Sequence, residues 1–210
     1  MMGTRETILN EALDLFSLKG YDAVSVRDIA RAVGIKESSL YNHFTNKQAI
    51  FDTLIAEYSG KGSEFFKQMQ IIDESMEFTV DSRTVDMYRN MSNDQFALIA
   101  GSIFDYYFTD GINVKLRRML TIEQYRNPAI GKVYRDLSFD EALEFQTQLF
   151  SALIEAGCFI KTDPAMMALA FFSPIFLIFY KFDNNEQSLA QARILFDRHI
   201  IHFNQTYGMH

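Results

Sequence analysis

The 210-residue chain contains one cysteine, Cys158, so it holds no internal disulfide and suits a reducing cytoplasm. Flanked by Gly157 and Phe159, with no base visibly paired to it, that cysteine reads as a small apolar residue. Prolines number three. Pro128 and Pro164 follow Asn127 and Asp163 at helix starts, whereas Pro174 lies inside an apolar run and predicts a kink. Positive charge is also short. Twenty Lys and Arg face 27 Asp and Glu, a formal charge of −7, which excludes a non-specific polyanion binder. No G-x-S-x-G, P-loop, H-E-x-x-H or glycine-rich strand turn occurs, so neither an enzyme nor a cofactor is expected. The opening MMGTRETIL lacks the charged-then-apolar order of a signal peptide, and no export is expected. Apolar runs are short too. The longest, AMMALAFFSPIFLIFY from Ala165 to Tyr180, would span ~24 Å as helix against a ~30 Å hydrocarbon core. Asp163 and Lys181 flank it closely, so it predicts a helix buried on nearly all sides and no membrane partner.

What the chain does have is helical periodicity nearly throughout, which gives an all-α fold. Ile8, Leu9, Ala12, Leu13 and Phe16 stripe a first helix that Gly20 stops. Ser25 and Asp28 approximate a capping box for a second, with Ile29, Ala30 and Val33 inward and Gly34 as its left-handed stop. A short third helix is predicted from about Glu37 to Phe44, with Leu40 and Phe44 inward. Thr45 and Asn46 then cap a helix opening at Lys47, and Gly60 and Gly62 predict a bend or break in it. Residues 73–93 read as a loop with a short helix. Beyond them five or six helical pieces are expected, starting at Ser92-Asn93, Asn127-Pro128, Ser138, Asp163-Pro164 and Asn185.

The segment SVRDIARAVGIKESSLYNHFTNK, from Ser25 to Lys47, has the layout of a helix-turn-helix DNA reader. Ser38, Ser39, Tyr41, Asn42 and His43 fall outward. Small hydroxyls permit close approach to a major groove, Asn42 can read an adenine edge, and Tyr41, His43 and Lys47 can reach phosphate oxygens. A capped hairpin whose polar face is merely solvated has the same local pattern. Gly20 to Lys47 holds Arg27, Arg31, Lys36 and Lys47 against Asp22, Asp28 and Glu37; four bases and three acids leave +1, and residues 48–210 carry the deficit.

Over about Arg5 to Tyr58, the runs RETILNEALDLFSLKGYDAVSV, DIARAVGI and SSLYNHFTNKQAIFDTL resemble the N-terminal domain of TetR-type (tetracycline-repressor-like) transcriptional regulators. The resemblance implies a three-helix DNA-binding domain over residues 1–47, to about 58 with the linking helix. An effector-binding and dimerisation domain would occupy 59–210. Carried across by motif, Ser25 and Arg27 would lie near phosphates, Tyr41 and Lys47 would clamp the DNA backbone, and Lys36, Ser39 and Asn42 would face bases. Two positions depart from the family pattern. Lys36 stands where a hydroxyl usually caps the recognition helix, and Glu37 stands where a neutral or basic residue is common. Glu37 would repel phosphate unless it accepts from a cytosine amine.

The resemblance further implies a homodimer through a four-helix interface made by the last two helices, about Pro164–Phe182 and Glu186–Tyr207, with a palindromic duplex as partner. Leu189, Ala192, Phe196, His199 and Phe203 form a stripe suited to such a seam. Twenty of the thirty Phe and Tyr lie between Asn93 and Tyr207. Phe104, Tyr107, Tyr125, Tyr134, Phe145, Phe150 and Met167 are candidate walls of a cavity for an apolar or aromatic effector, against the alternative of plain core. Arg117, in the basic cluster Lys115, Arg117, Arg118 and Arg126, is a candidate anchor for an anionic group; the alternative is a solvated helix in which Glu123 pairs with Arg126. His199 and His202 are too few for a metal site and read as helix-interface residues. The expected function is a cytoplasmic, ligand-responsive DNA-binding regulator, most simply a repressor. The alternative is a small-molecule-binding or scaffold protein of the same fold without specific operator binding.

Overall fold

The computed structural model describes residues 3–68, 80, 82–182 and 186–209. Among these the architecture is helical: α1 (Thr4–Lys19), α2 (Val26–Val33), α3 (Glu37–Leu40), α4 (Lys47–Gln68), α5 (Ser82–Asn90), α6 (Asn93–Phe108), α7 (Gly111–Glu123), α8 (Pro128–Arg135), α9 (Glu141–Glu155), α10 (Pro164–Phe182) and α11 (Glu186–Tyr207). Two compact units interleave along the chain, one of Met1–Phe65 with Gly111–Asp136, the other of Phe66–Asp110 with Leu137–His210.

In the first unit the predicted stripe of α1 is inward, with Ile8, Leu9, Ala12, Leu13 and Phe16 all buried beside Ile29, Ala30, Leu40, Phe44 and Ile50. Helix α7 packs along α1, and Lys115 pairs there with Asp14. Glu123, at the end of α7, does not meet the expected Arg126. Its side chain is 0% exposed, neither carboxylate oxygen has a hydrogen-bond partner among the described residues, and it lies against Gly20. Gly20 caps α1 at φ 87 and ψ 157, a region nearly closed to residues with a Cβ. A Cβ there would also stand 2.2 Å from Glu123 Oε1.

The second unit has two aromatic clusters that share Phe171. Phe104 and Phe108 of α6 pack with Phe179 of α10 and Phe196 of α11; Phe150 and Leu153 of α9 pack with Phe159, Met167 and Phe203. The α11 stripe is therefore buried against its own chain, with Ala192, Phe196 and Phe203 inside and Leu189 packed on the first cluster. His199 Nε2 lies 2.7 Å from the Phe171 carbonyl. Arg193 spans α6 and α11. It donates to both carboxylate oxygens of Asp197, at 2.9 and 3.1 Å, and lies over the Phe104 ring where Gly101 leaves room.

Several expectations need correction. Helix α4 runs unbroken through Gly60 and Gly62. Each glycine costs ~1 kcal/mol relative to alanine, too little to stop a helix already nucleated and propagating. The break at Gly111 was not foreseen, and Ser138 starts nothing: a π-helical turn, Asp136–Asp140, carries α8 directly into α9. Ser92, Asn127 and Asp163 do cap α6, α8 and α10. Of the segment expected as a loop with a short helix, 73–79 and 81 lie outside the described residues, as does Asn185, and Ser82–Asn90 is a short helix. Of the described helices, Pro164–Phe182 is long and apolar enough to cross a membrane. It is not buried on nearly all sides. Met167, Ala168, Ile175, Ile178 and Phe179 face inward, while Met166, Leu169, Leu177 and Tyr180 form an exposed side within the single chain.

Gly20→Ala should destabilise the protein more than Gly34→Ala. Gly34 has a simple left-handed φ of 76 with nothing within 4 Å of the added Cβ, so its cost is that of backbone alone, ~1 kcal/mol. Urea unfolding of the two variants makes the comparison. Burial holds the His199 pKa below its usual 6.5, with His202 reinforcing the shift and the Phe171 carbonyl opposing it. A folded pKa below the unfolded one gives stability that is complete above about pH 6.5 and is lost as pH falls through the folded value. His199→Gln, which keeps a donor for Phe171, should flatten the decline in melting temperature between about pH 7 and 5.

Candidate nucleic-acid interface

Local rules build the reader. Ser25 caps α2, its hydroxyl accepting from Asp28 N at 3.2 Å while Asp28 Oδ2 accepts from Ser25 N at 3.0 Å. The Ser25 hydroxyl also donates to that carboxylate, so hydrogen bonds from Ser25 hold the Asp28 carboxyl below the usual range. Gly34 turns the chain in the left-handed region and its N–H closes on Ala30 and Arg31 carbonyls. Leu40, 0% exposed, and Phe44 anchor the next element to the core.

That element is shorter than expected. Helix α3 ends at Leu40; Tyr41 N still bonds the Glu37 carbonyl at 3.2 Å, but Asn42 N and His43 N take three-residue bonds to the Ser39 and Leu40 carbonyls at 3.3 and 2.9 Å. Lys36 sits at its N-cap with no side-chain cap bond, as its chemistry requires. Ser38, Tyr41, Asn42 and His43 are exposed, and Ser39 is half-buried. The tightened turn thus offers Tyr41, Asn42 and His43 from consecutive positions just past α3.

Charged residues of the face are tied to one another. Arg27 Nε lies 3.4 Å from Glu37 Oε2, a contact from α2 to α3 across the turn. Arg31 lies 3.6 Å from Asp28. Lys36 is exposed and forms no ion pair among the described residues. Lys47 is placed differently from a backbone clamp that waits for DNA. Its ammonium donates to the Tyr21 and Val24 carbonyls at 2.7 and 2.9 Å and lies 4.1 Å from the Tyr21 ring centre. Sequence periodicity carries no signal for this contact, because it joins positions more than twenty apart. Arg5, over the Phe44 ring at 5.1 Å, went unnoticed for the same reason.

The candidate effector residues are divided between the two units. Arg117, Tyr125 and Tyr134 belong to the first unit and the other five to the second. Tyr125 is 90% exposed and lines no interior, whereas Tyr134 is sealed in the core. Phe104, with Tyr107 packed beside it, lies in one aromatic cluster; Phe150 and Met167 lie in the other. Phe145 and Arg117 are half-buried.

The capped helix pair, the glycine turn and the outward polar set define a helix-turn-helix protein. Residues 8–54 match the family model of bacterial regulatory proteins, tetR family. Over 48 residues, 23% of this chain, it is 46% identical to the biofilm operon icaADBC HTH-type negative transcriptional regulator IcaR of Staphylococcus aureus (strain Newman), and over 104 residues, 45% of this chain, it is 30% identical to IcaR of Staphylococcus epidermidis. These matches span 26% and 56% of the relatives' own lengths. In fold, a TetR-family regulator from Mesorhizobium loti covers 98% of this chain and 97% of its own, at 20% identity and TM-score 0.67. The SmeT–triclosan complex covers 98% and 92%, at 17% identity and TM-score 0.67. Residues 8–54 thus resemble the N-terminal domain of the tetR family, and over nearly its whole length the chain shares the fold of solved TetR-family regulators.

With Lys47 holding two carbonyls, Lys47→Ala should lower stability by roughly 1.5–3 kcal/mol, the range for hydrogen bonds to a charged group. Tyr41→Ala, on the exposed side, should leave stability within about 0.5 kcal/mol. Urea denaturation followed by circular dichroism separates the two.

Proposed function

We propose that the protein is a homodimeric DNA-binding transcriptional regulator, most simply a repressor, released from a palindromic operator by a small apolar or aromatic effector. The observation that carries the reading is the exposed set Ser38, Tyr41, Asn42 and His43, fixed above the buried Leu40 and Phe44 within the segment that matches the family. Hydroxyl, phenol, carboxamide and imidazole groups on a short, rigidly seated element are suited to phosphate and base edges. IcaR's description as a negative regulator favours repression here. On this reading the DNA reader is 1–47, extended by the linking helix to about 58, and 59–210 serve effector binding and dimerisation in the cytoplasm.

One reader covers half a site, and a two-fold pair covers two half-sites about one turn, ~34 Å, apart. The dimer surface is read from the outer sides of α10 and α11. Leu177 is 62% exposed and Ile194 60%, with Leu169, Tyr180 and Ile201 on the same apolar sides, more than a single chain leaves open without a partner. The effector's class follows from the aromatic density of α6, α9, α10 and α11, and SmeT's complex with triclosan is the parallel in fold. An effector that binds one dimer arrangement better shifts the population away from the DNA-competent one.

Genomic fragments from around the gene, screened by mobility shift at near-physiological salt, should include one retained specifically. Tyr41→Ala and Asn42→Ala should each weaken it by about tenfold or more while sedimentation still reports a dimer. Leu177→Glu should give monomers that lose the duplex. Retention of no fragment would favour a binding or scaffold protein of this fold.

A further inference from the structure

Resting on the DNA-binding reading, we propose that Glu37 is an internal counter-charge which holds Arg27 until phosphate displaces it, and thereby lowers the protein's affinity for every duplex, operator and bulk DNA alike. Three observations meet at this point. Arg27 and Glu37 face each other across the turn at 3.4 Å, and both are substantially solvent-exposed, with side-chain exposures of 75% and 40%. They belong to different helices of the reader, α2 and α3, and on the DNA-binding reading both stand on the surface that approaches DNA. The second arginine of α2, Arg31, is likewise matched, by Asp28. The face therefore carries arginines without carrying much net positive charge.

The consequence is electrostatic. An arginine that neutralises a phosphate releases a DNA counterion, and each such release adds about 0.9 to the slope of log affinity against log salt. With Glu37 beside it, Arg27 belongs to a pair that is neutral towards the DNA's ion atmosphere, so the net counterion release from that contact is small. Any duplex presents phosphates, so this penalty applies to all DNA. A penalty common to all DNA cancels in the ratio of operator to bulk affinity, so Glu37 lowers both alike, in a chain whose formal charge is already −7.

The test uses Glu37→Gln, Arg27→Gln and the double variant in the full-length protein, with circular dichroism melts to confirm folding. Each is titrated against an arbitrary-sequence duplex and against the retained operator fragment over a series of salt concentrations. Glu37→Gln should bind the arbitrary duplex and the operator fragment each about two- to fivefold more tightly, with a salt slope steeper by about 0.9. The gain should vanish in the Arg27→Gln background. A folded Glu37→Gln with unchanged affinity and slope on the arbitrary duplex overturns the proposal, as does a gain that persists without Arg27. Loss of operator affinity at constant slope would instead make Glu37 a base-reading residue. The arbitrary duplex keeps the two readings separate. If no operator is found but the charge effect appears, the function proposed above fails and the counter-charge stands; if an operator is found and the effect is absent, the reverse holds.

Discussion

The reader's geometry depends on the ammonium of Lys47. Between α1 and α2 the chain turns through residues whose carbonyls have no helical ladder to join, and two of them, from Tyr21 and Val24, close on Lys47 Nζ. The same turn is tied a second time, by the Tyr21 hydroxyl donating to Gln48 at 2.9 Å. Both ties come from the first turn of α4, which Asn46 caps through Ala49 N at 2.8 Å. The start of α2 and the start of α4 are thus held to one another, and the twenty-odd residues between them, including all of α3, are closed into a loop with fixed ends. A four-residue helix has almost no stability of its own. Its orientation here is set by that closure and by the burial of Leu40 and Phe44.

That constraint leaves charge free to do something other than build the fold. Since the scaffold positions α3 without help from surface ion pairs, Arg27, Arg31, Asp28 and Glu37 can be arranged for their effect on a polyanion. Exposed pairs of this kind add ~0–1 kcal/mol to stability and are screened by salt. The +1 charge of Gly20 to Lys47 is therefore more than a weak version of a basic patch. It is a near-neutral surface in which two of the four cations already have an anion beside them, so binding is driven by docking and short-range contacts more than by bulk attraction.

How much of this was legible in the sequence depends on the range of each signal. Local, directional chemistry was readable: the Ser25–Asp28 capping box, the left-handed Gly34, the asparagine and aspartate caps before Pro128 and Pro164, and the inward stripe of α1. Signals of strength rather than type misled. Gly60 and Gly62 are genuine helix penalties, but small against a twenty-two-residue helix. The α11 stripe was correctly found to be apolar, yet a stripe does not say which partner it meets. Ala192, Phe196 and Phe203 meet their own chain, and the outer side with Ile194 and Ile201 is left over. Long-range pairings were invisible. Nothing in the spacing of Lys47 and Tyr21, of Arg27 and Glu37, or of Glu123 and Gly20 announces contact, since each depends on a turn whose path the rest of the fold determines.

The last of those contacts bears on how the two units share one chain. Helices α7 and α8 are compact with α1, yet the segments that enter and leave them, α6 and the π turn into α9, belong to the second unit. The backbone therefore passes between units at three places, near 65, 110 and 136. At the far end of α7, Glu123 is sealed against a glycine that admits no side chain, and Lys115 is paired with Asp14. A helix fastened at that seam cannot slide along α1 without exposing a buried carboxylate or breaking an ion pair.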